Sequence, residues 1–184
     1  MSRLVAPPPT ALMRVRTRRW RSHTLRSALL ALPILVAAAC GGGSSGSGKS
    51  WPGVDITDTA GATLSSRAIV TQGRPAVISV WAVWCRPCRE ELPRLEELAT
   101  SDTRVDVAAV NLGDSEKAVN DYIESLGLRL RVLIDSDGLL TEALGISSVP
   151  ATIFVDSNGK VAEVHLGELS ADDLKKSASR LLSA

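Results

Sequence analysis

The sequence is poor in the side chains that bind transition metals. Its 184 residues include only three cysteines and two histidines. Cys85 and Cys88 form a Cys-x-x-Cys pair, but a four-cysteine zinc site needs a second pair, and only Cys40 remains. His23 lies near the N-terminus, and His165 stands alone in a strand-like stretch. This scarcity disfavours a zinc site, and neither a metal nor an organic cofactor is expected.

The chain also lacks an apolar run long enough to cross a bilayer. The apolar stretch from Ala28 to Ala39 is twelve residues long and contains Pro33, whereas a membrane-spanning helix needs about 20 residues. Residues 1–39 hold seven arginines and no acidic side chain. A basic segment followed by a short apolar one and by small residues is typical of a secretory signal peptide. The sequence therefore predicts an exported protein with a signal peptide at residues 1–39.

The rest of the chain lacks an excess of positive charge. Seven of the 21 Lys and Arg lie in residues 1–39, so residues 40–184 contain 14 Lys and Arg and all 20 Asp and Glu. Their net charge is therefore about −6. Binding to nucleic acid requires clustered cations that neutralise phosphates. No nucleic-acid partner is therefore expected.

Cys40 follows directly after the expected signal peptide. Ala38-Ala39-Cys40-Gly41 resembles the bacterial lipobox, in which the cysteine receives a lipid and becomes the mature N-terminus. The segment departs from the usual motif at Ala37, where leucine is common. Cleavage after Ala39 as in an ordinary secreted protein is the alternative. The lipoprotein interpretation is favoured because a free cysteine in an exported tail invites mispairing. A lipid at Cys40 would hold the protein at the outer face of the cell membrane.

Glycine and serine make up the whole of residues 41–48, a composition that predicts a flexible tether. The chain therefore divides into a lipoprotein-type signal peptide (1–39), a tether (40–50) and one folded domain (51–184). About 130 ordered residues can bury an adequate core without structural disulfides.

Strand-like and helix-like segments alternate in this domain and predict an α/β fold. Apolar runs predict strands at 75–81, 104–110, 130–134, 151–155 and 160–166. Apolar residues at helical spacing predict helices at 88–100, 115–126, 139–144 and 171–182. Asp156-Ser157-Asn158-Gly159 is a turn signal that joins the last two strands as a hairpin. Residues 51–72 carry no clear pattern.

The Cys85-Arg86-Pro87-Cys88 motif lies where the strand at 75–81 gives way to a helix. Residues three apart in a first helical turn share a face, and Cα atoms about 5–6 Å apart permit a disulfide. Free N–H groups at the helix N-terminus and the charge of Arg86 stabilise a thiolate at Cys85. Pro87 suits this first turn because its missing N–H has no role there. Cys88 is expected to be more covered and to act as the resolving cysteine.

A redox-active pair is therefore the favoured interpretation of this motif. A purely structural disulfide is disfavoured because cross-linking so short a loop removes little chain entropy. Half of a metal site is the other alternative.

Two segments of the domain resemble the membrane-associated TlpA/ResA group of thioredoxin-like proteins. They are Val80 to Pro93 (VWAVWCRPCREELP) and Gly145 to Asp156 (GISSVPATIFVD). The two motifs are specific in this order and spacing, and the similarity runs from about Gly53 to the C-terminus. The resemblance implies a thioredoxin-like α/β fold, with a central mixed sheet flanked by helices. It also implies an additional strand and helix between Asn111 and Ile134.

The resemblance implies roles for residues outside the cysteine pair. Val149-Pro150 corresponds to a cis peptide bond beside the cysteines, where the backbone of Val149 pairs with substrate. Glu91 corresponds to a partly buried carboxylate that exchanges a proton with Cys88 and shifts the pKa values of the thiols. A solvated helix glutamate is the alternative. Thioredoxins carry an aspartate six residues before the first cysteine, where this chain has Ser79. Trp84 is expected to pack around the site and to contribute to substrate binding.

Together these features predict a membrane-tethered thiol–disulfide oxidoreductase. The thiolate of Cys85 would attack a substrate disulfide, and Cys88 would then release the reduced product. The resemblance implies exported disulfide-containing proteins as substrates, foremost apo-cytochrome c during its maturation, and a membrane thiol donor that re-reduces the pair. Two alternatives stay open. One is an oxidant that donates disulfides to exported proteins, and the other is a redox-silent or copper-handling binding protein.

Overall fold

The computed structural model describes residues 48–183, so the expected signal peptide and Cys40 lie outside the described residues. The strands are β1 Asp55–Asp58, β2 Thr63–Ser65, β3 Ala76–Trp81, β4 Asp106–Asn111, β5 Arg131–Ile134, β6 Ala151–Val155 and β7 Val161–Leu166. The helices are α1 Arg86–Ser101, α2 Glu116–Leu126, α3 Leu139–Leu144 and α4 Ala171–Ser183, and a 3-10 helix covers Ser66–Ile69.

The strands form one seven-stranded mixed sheet in the order β2-β1-β5-β4-β3-β6-β7. Strands β3, β4 and β5 are parallel, and helices α1 and α2 return the chain between them. Strand β6 is antiparallel to β3, β7 is antiparallel to β6, and β1 is antiparallel to β5. The predicted thioredoxin-like α/β fold, with a central mixed sheet flanked by helices, is confirmed.

The sheet separates two apolar clusters, one on each face. Val77 and Trp81 of β3 pack with residues of α1, α2 and α4, whereas Ile78 and Val80 pack with residues of α3. Successive residues of a strand point to opposite faces. All six residues of β3 are buried, so this strand supplies both clusters. The apolar run at 75–81 is therefore a central strand, as predicted.

An additional helix and strand separate β4 from α3. Helix α2 and strand β5 both lie between Asn111 and Ile134, where the insertion was predicted. Ser115 caps α2 by accepting from the backbone N–H of Ala118 at 3.3 Å, and Gly127 ends the helix with a left-handed φ of 63°. The insertion widens the sheet because β5 lies between β4 and β1.

The segment without a sequence pattern forms the β1–β2 hairpin and the 3-10 helix. Only Ile56 among the seven strand residues of this hairpin is buried, so no alternation is visible in the sequence. Side-chain hydrogen bonds hold the segment instead. The indole of Trp51 donates to the carbonyl of Ser66, whose hydroxyl donates to Pro52 and accepts from the N–H of Val54. Contacts of this kind have no signature in local sequence.

The two ends of the sheet differ in what they carry. Strands β3, β4 and β5 finish at Trp81, Asn111 and Ile134, and we call this the carboxyl end of the sheet. The described chain begins at the opposite end. There Gly48 donates to the carbonyl of Val161 at 2.7 Å, and Val161 donates to the carbonyl of Lys49 at 2.8 Å.

The helices of residues 48–183 are all too short or too polar to span a membrane.

Candidate active site

The cysteine pair lies at the carboxyl end of the sheet, between β3 and α1. Cys85 and Cys88 form a disulfide with a Cα–Cα distance of 5.4 Å. Cys85 is the N-cap of α1, and its sulfur accepts from the backbone N–H of Cys88 at 3.3 Å. The helix therefore begins at Arg86, two residues before the predicted start. The N–H of Cys85 donates to the carbonyl of Ala82 at 3.0 Å, which closes a tight turn after β3.

Both cysteines are buried, with 3% of Cys85 and 1% of Cys88 exposed. Cys88 is the more covered of the two, as expected, but the contrast is slight. Arg86 and Pro87 are exposed at the start of α1, and the first turn of this helix holds no acidic residue. The helix N-terminus and Arg86 thus present positive charge beside Cys85.

Trp84 and Trp81 differ sharply in exposure. Trp84, expected to pack around the site, is instead 70% exposed, while Trp81 is fully buried at the end of β3. A large exposed aromatic side chain therefore lies next in sequence to a buried disulfide.

The predicted cis peptide bond between Val149 and Pro150 is confirmed. Ala151, the next residue, pairs with Val80 of β3, so Pro150 lies at the same end of the sheet as the cysteines. The carbonyl of Pro150 accepts from the N–H of Gly167 at 2.8 Å. Val149 is half-buried.

The carboxyl group of Glu91 lies on the inner face of α1, one turn after Cys88. Only 1% of Glu91 is exposed, so the alternative of a solvated helix glutamate is wrong and burial is more complete than expected. Three groups donate to its two oxygens. They are the hydroxyl of Ser79 at 3.2 Å, the hydroxyl of Thr152 at 2.5 Å and the backbone N–H of Leu169 at 3.1 Å.

Ser79 occupies the position at which thioredoxins carry aspartate, and here it contacts Glu91. Ser79 and Thr152 are direct partners across β3 and β6, so both hydroxyls face α1 from adjacent positions. Sequence reasoning missed Thr152. Its signal was a lone hydroxyl in the apolar strand Ala-Thr-Ile-Phe-Val, because a buried polar group needs a partner.

A short connection between β7 and α4 completes the polar cluster. Arg94 donates from Nη1 to the carbonyl of Leu169 at 2.7 Å and to a carboxylate oxygen of Glu168 at 2.8 Å. Glu91 accepts from the N–H of the same Leu169. Both backbone polar groups of Leu169 are thus bound by side chains of α1. No sequence motif identifies a backbone N–H as the donor to a buried carboxyl group, so the contact between Leu169 and Glu91 could not be predicted.

An aromatic layer from the inserted helix packs against the same region. The rings of Trp81 and Tyr122 lie 5.3 Å apart, and the guanidinium of Arg89 lies 5.4 Å from the Tyr122 ring. Burial raises the pKa of Tyr122 above its ordinary 10.0, and the charge of Arg89 opposes this shift. Within residues 48–183, neither the indole N–H of Trp81 nor the hydroxyl of Tyr122 has a hydrogen-bond partner.

The described part of the chain contains no cluster of three His, Cys, Asp or Glu side chains suited to a metal ion. Cavities of about 360, 330 and 350 Å³ lie away from the disulfide. They open beside Arg74 and Asp106, beside Trp51 and Arg67, and between β7 and α4 next to His165. The disulfide is instead flanked by the exposed Trp84 side chain.

Comparison with known proteins agrees with this geometry. Residues 46–182 match the Redoxin family. The thiol-disulfide oxidoreductase ResA of Bacillus subtilis (strain 168) is 28% identical over 143 residues, which cover 77% of this chain and 79% of ResA.

Solved structures give the same result. MTB DsbF, solved in mixed oxidised and reduced forms, has a TM-score of 0.63 and 28% identity, over 70% of this chain and 94% of DsbF. The exposed lipoprotein thioredoxin Etrx1 of Streptococcus pneumoniae (strain TIGR4) has a TM-score of 0.62 and 26% identity, over 71% of this chain and 100% of Etrx1. The match to the Redoxin family spans most of the chain, and the disulfide lies at a helix N-terminus, a position that favours the reactive thiolate. The chain therefore belongs to the Redoxin family and is a thioredoxin-like thiol–disulfide oxidoreductase, similar to ResA, with Cys85 and Cys88 as its close cysteine pair.

Proposed function

We propose that this protein is an exported, membrane-tethered reductant that opens disulfides of exported proteins at Cys85 and Cys88. The observation that carries this proposal is the Cys85–Cys88 disulfide at the N-terminus of α1, at the same end of the sheet as exposed Trp84 and the cis bond before Pro150. A helix N-terminus stabilises the thiolate that exchange requires.

The exchange proceeds in two steps. In the reduced enzyme, the thiolate of Cys85 attacks one sulfur of the substrate disulfide, that bond breaks, and the departing sulfur takes up a proton. Cys88 then loses its proton and attacks the sulfur of Cys85. The mixed disulfide breaks, the second substrate thiol leaves, and the Cys85–Cys88 bond forms. The two cysteines supply two electrons to the substrate, which also takes up two protons, one released by Cys88 and one from solvent.

Glu91 is the proposed acceptor for the proton that leaves Cys88. Its carboxyl group is buried on the same helix face, one turn further along α1. Its hydrogen bonds to Ser79, Thr152 and Leu169 fix its position. General-base function requires such a positioned group close to the reacting thiol.

Exported proteins are the proposed substrates, with apo-cytochrome c foremost, and a membrane thiol donor is the proposed source of electrons. The signal-peptide pattern of residues 1–39 supports export. The exposed side chain of Trp84 and the distance of the larger cavities from the disulfide suit a polypeptide better than a small molecule. The backbone of Val149, directly before cis-Pro150, would pair with the extended backbone beside the substrate disulfide.

The reverse direction, in which the enzyme donates its disulfide, is the second candidate. The exposed Arg86 and the absence of acidic residues from the first turn of α1 favour the thiolate form of Cys85. A stabilised thiolate raises the reduction potential and makes the enzyme more oxidising. The similarity to oxidoreductases favours either enzyme over a redox-silent or copper-handling binding protein.

Replacing Cys88 with serine is expected to trap substrates on Cys85, because the mixed disulfide then has no resolving thiol. The measurement is a non-reducing gel of alkylated cells that express the full chain with Cys88→Ser. A matched Cys85→Ser/Cys88→Ser variant should trap nothing. Equal trapping by both variants, or trapping by neither, would contradict the exchange mechanism.

The reduction potential of the Cys85/Cys88 pair decides the direction. We expect the full chain, equilibrated with dithiothreitol or glutathione buffers, to have a potential near thioredoxin's, about −270 mV. A potential of roughly −120 to −180 mV would instead support the oxidant. The absence of any reversible couple would rule out both enzymes.

Replacing Glu91 with glutamine is expected to make Cys85 reactive at lower pH. A buried negative charge near the thiols opposes thiolate formation, so its removal should move the midpoint of alkylation down by roughly one pH unit. The measurement is the pH dependence of iodoacetamide labelling in the reduced full chain.

Glu90→Gln provides a matched control for this experiment. Glu90 is the preceding residue and is exposed, so removing its charge should leave the midpoint nearly unchanged. A Glu91→Gln midpoint equal to that of the unmodified protein would remove Glu91 from the mechanism.

The proposed anchor predicts that Cys40→Ala releases the protein from membranes. The lipobox-like Ala38-Ala39-Cys40-Gly41 supports a lipid at this position, and similar Etrx1 is an exposed lipoprotein. Cell fractionation with labelled palmitate should show loss of both label and membrane association. Unchanged fractionation of Cys40→Ala would contradict the anchor.

A further inference from the structure

The backbone that leads into the redox site is held by a carboxylate from the inserted segment. Asp114 accepts from the backbone N–H of Val83 through Oδ2 at 2.7 Å. Val83 precedes Trp84 directly and lies two residues before Cys85. Asp114 lies between β4 and α2, before the cap of the inserted helix. A short bond from an N–H to a carboxylate is among the stronger hydrogen bonds in proteins.

Asp114 is itself fixed by its neighbour Asn111. The side-chain amide of Asn111 donates to the same Oδ2 at 2.9 Å, and the backbone N–H of Asp114 donates to Asn111 Oδ1 at 2.9 Å. Asn111 is fully buried at the end of β4. Gly113 closes the turn between them with a φ of 72°, a left-handed value that side chains disfavour. The carboxylate is therefore held in place before any substrate binds.

This contact follows directly after the pairing of β3 with β4. Trp81 and Asn111 are the last paired residues of the two strands, and the N–H of Leu112 donates to the carbonyl of Trp81 at 2.8 Å. Beyond these residues the two strands no longer pair. There the carboxylate of Asp114, rather than a strand carbonyl, accepts from the backbone N–H of Val83. The loop with Val83 is thus fixed to the sheet by a side chain.

The backbone on both sides of Trp84 is held by hydrogen bonds. Its side chain is 70% exposed, so packing against the domain contributes little to its direction. The backbone on its N-terminal side is bound at Val83 by Asp114, and on its C-terminal side at Cys85 by the carbonyl of Ala82.

We propose that Asp114 is a positioning residue for substrate binding. By holding the N–H of Val83, it presents the indole of Trp84 as an apolar platform beside Cys85, against which the polypeptide flanking a substrate disulfide packs. This inference rests on the proposed disulfide exchange. The residues at the start of the inserted segment would then contribute to the recognition of polypeptide substrates, while the two cysteines carry out the disulfide exchange.

The test compares two disulfide probes with the full chain in its reduced form. One is a peptide with an internal Cys-x-x-Cys disulfide flanked by apolar residues, and the other is oxidised glutathione, which lacks such flanks. Single-turnover kinetics give the half-saturating concentration and the maximal rate for each. Asp114→Ala is expected to raise the half-saturating peptide concentration about tenfold and to change the rate with glutathione less than twofold.

Two further variants separate position from charge. Asp114→Asn keeps an oxygen at the same place, so its half-saturating peptide concentration should stay within about threefold of that of the unmodified protein. Asp114→Glu keeps the charge but moves it by one methylene, so it should resemble Asp114→Ala. It also replaces that variant if Asp114→Ala fails to fold. If Asp114→Glu kept the half-saturating peptide concentration of the unmodified protein while Asp114→Asn raised it, the positioning role would be wrong.

Two comparisons complete the design. In a Trp84→Ala background, Asp114→Ala should cause no additional loss of peptide binding, because the two residues act through the same indole. Asp156 is a matched control, because its Oδ1 accepts two backbone N–H groups in the β6–β7 turn at the opposite end of the sheet. Asp156→Ala should leave the half-saturating concentration unchanged.

The outcomes distinguish this inference from the proposed function. If the unmodified chain exchanges disulfides but Asp114→Ala binds the peptide equally well, this inference alone is wrong. If the unmodified chain exchanges with neither probe, the proposed function is wrong and this inference falls with it.

Discussion

A buried carboxyl group is the constraint on which the redox end of this protein depends. Glu91 is enclosed by a strand hydroxyl from β3, another from β6 and a backbone N–H from the connection before α4. A buried polar group left without partners costs several kcal/mol. The three donors must therefore stay in register with α1, whose first turn carries the disulfide. The same requirement fixes β6, and with it the cis bond before Pro150, relative to the cysteines.

Two charged side chains of α1, Arg86 and Glu91, lie near the cysteine pair in sequence and differ in burial. Arg86 is exposed, so water and salt weaken its effect on the thiolate. Glu91 is 1% exposed, and a carboxylate in such an environment acts on its neighbours with little screening. The helix N-terminus favours the thiolate whichever side chain dominates. Under the proposed function, the buried acid would counteract this stabilisation and keep the cysteine pair reducing.

Elements whose own residues are buried together could be predicted from local sequence. Elements that depend on pairing with distant parts of the chain could not. Strand β3 was recognised because it is apolar on both faces, whereas β1, with one buried residue, depends on pairing with β5 more than 70 residues away. At the site, motifs identified Cys85, Cys88, Pro150 and Glu91. Thr152, Leu169 and Asp114 were missed because each matters through a contact with a residue far along the chain, and two of these contacts have a backbone N–H as the donor.

The described chain enters the sheet at the end opposite the cysteines, where Gly48 and Lys49 pair with Val161. The six residues of β3 separate the two ends of the sheet by roughly 20 Å. The point at which the chain enters the domain therefore lies at one end, whereas the disulfide and the exposed indole of Trp84 lie at the other. A protein that docks at the cysteines does not have to share that surface with the strand pairing that holds residues 48 and 49.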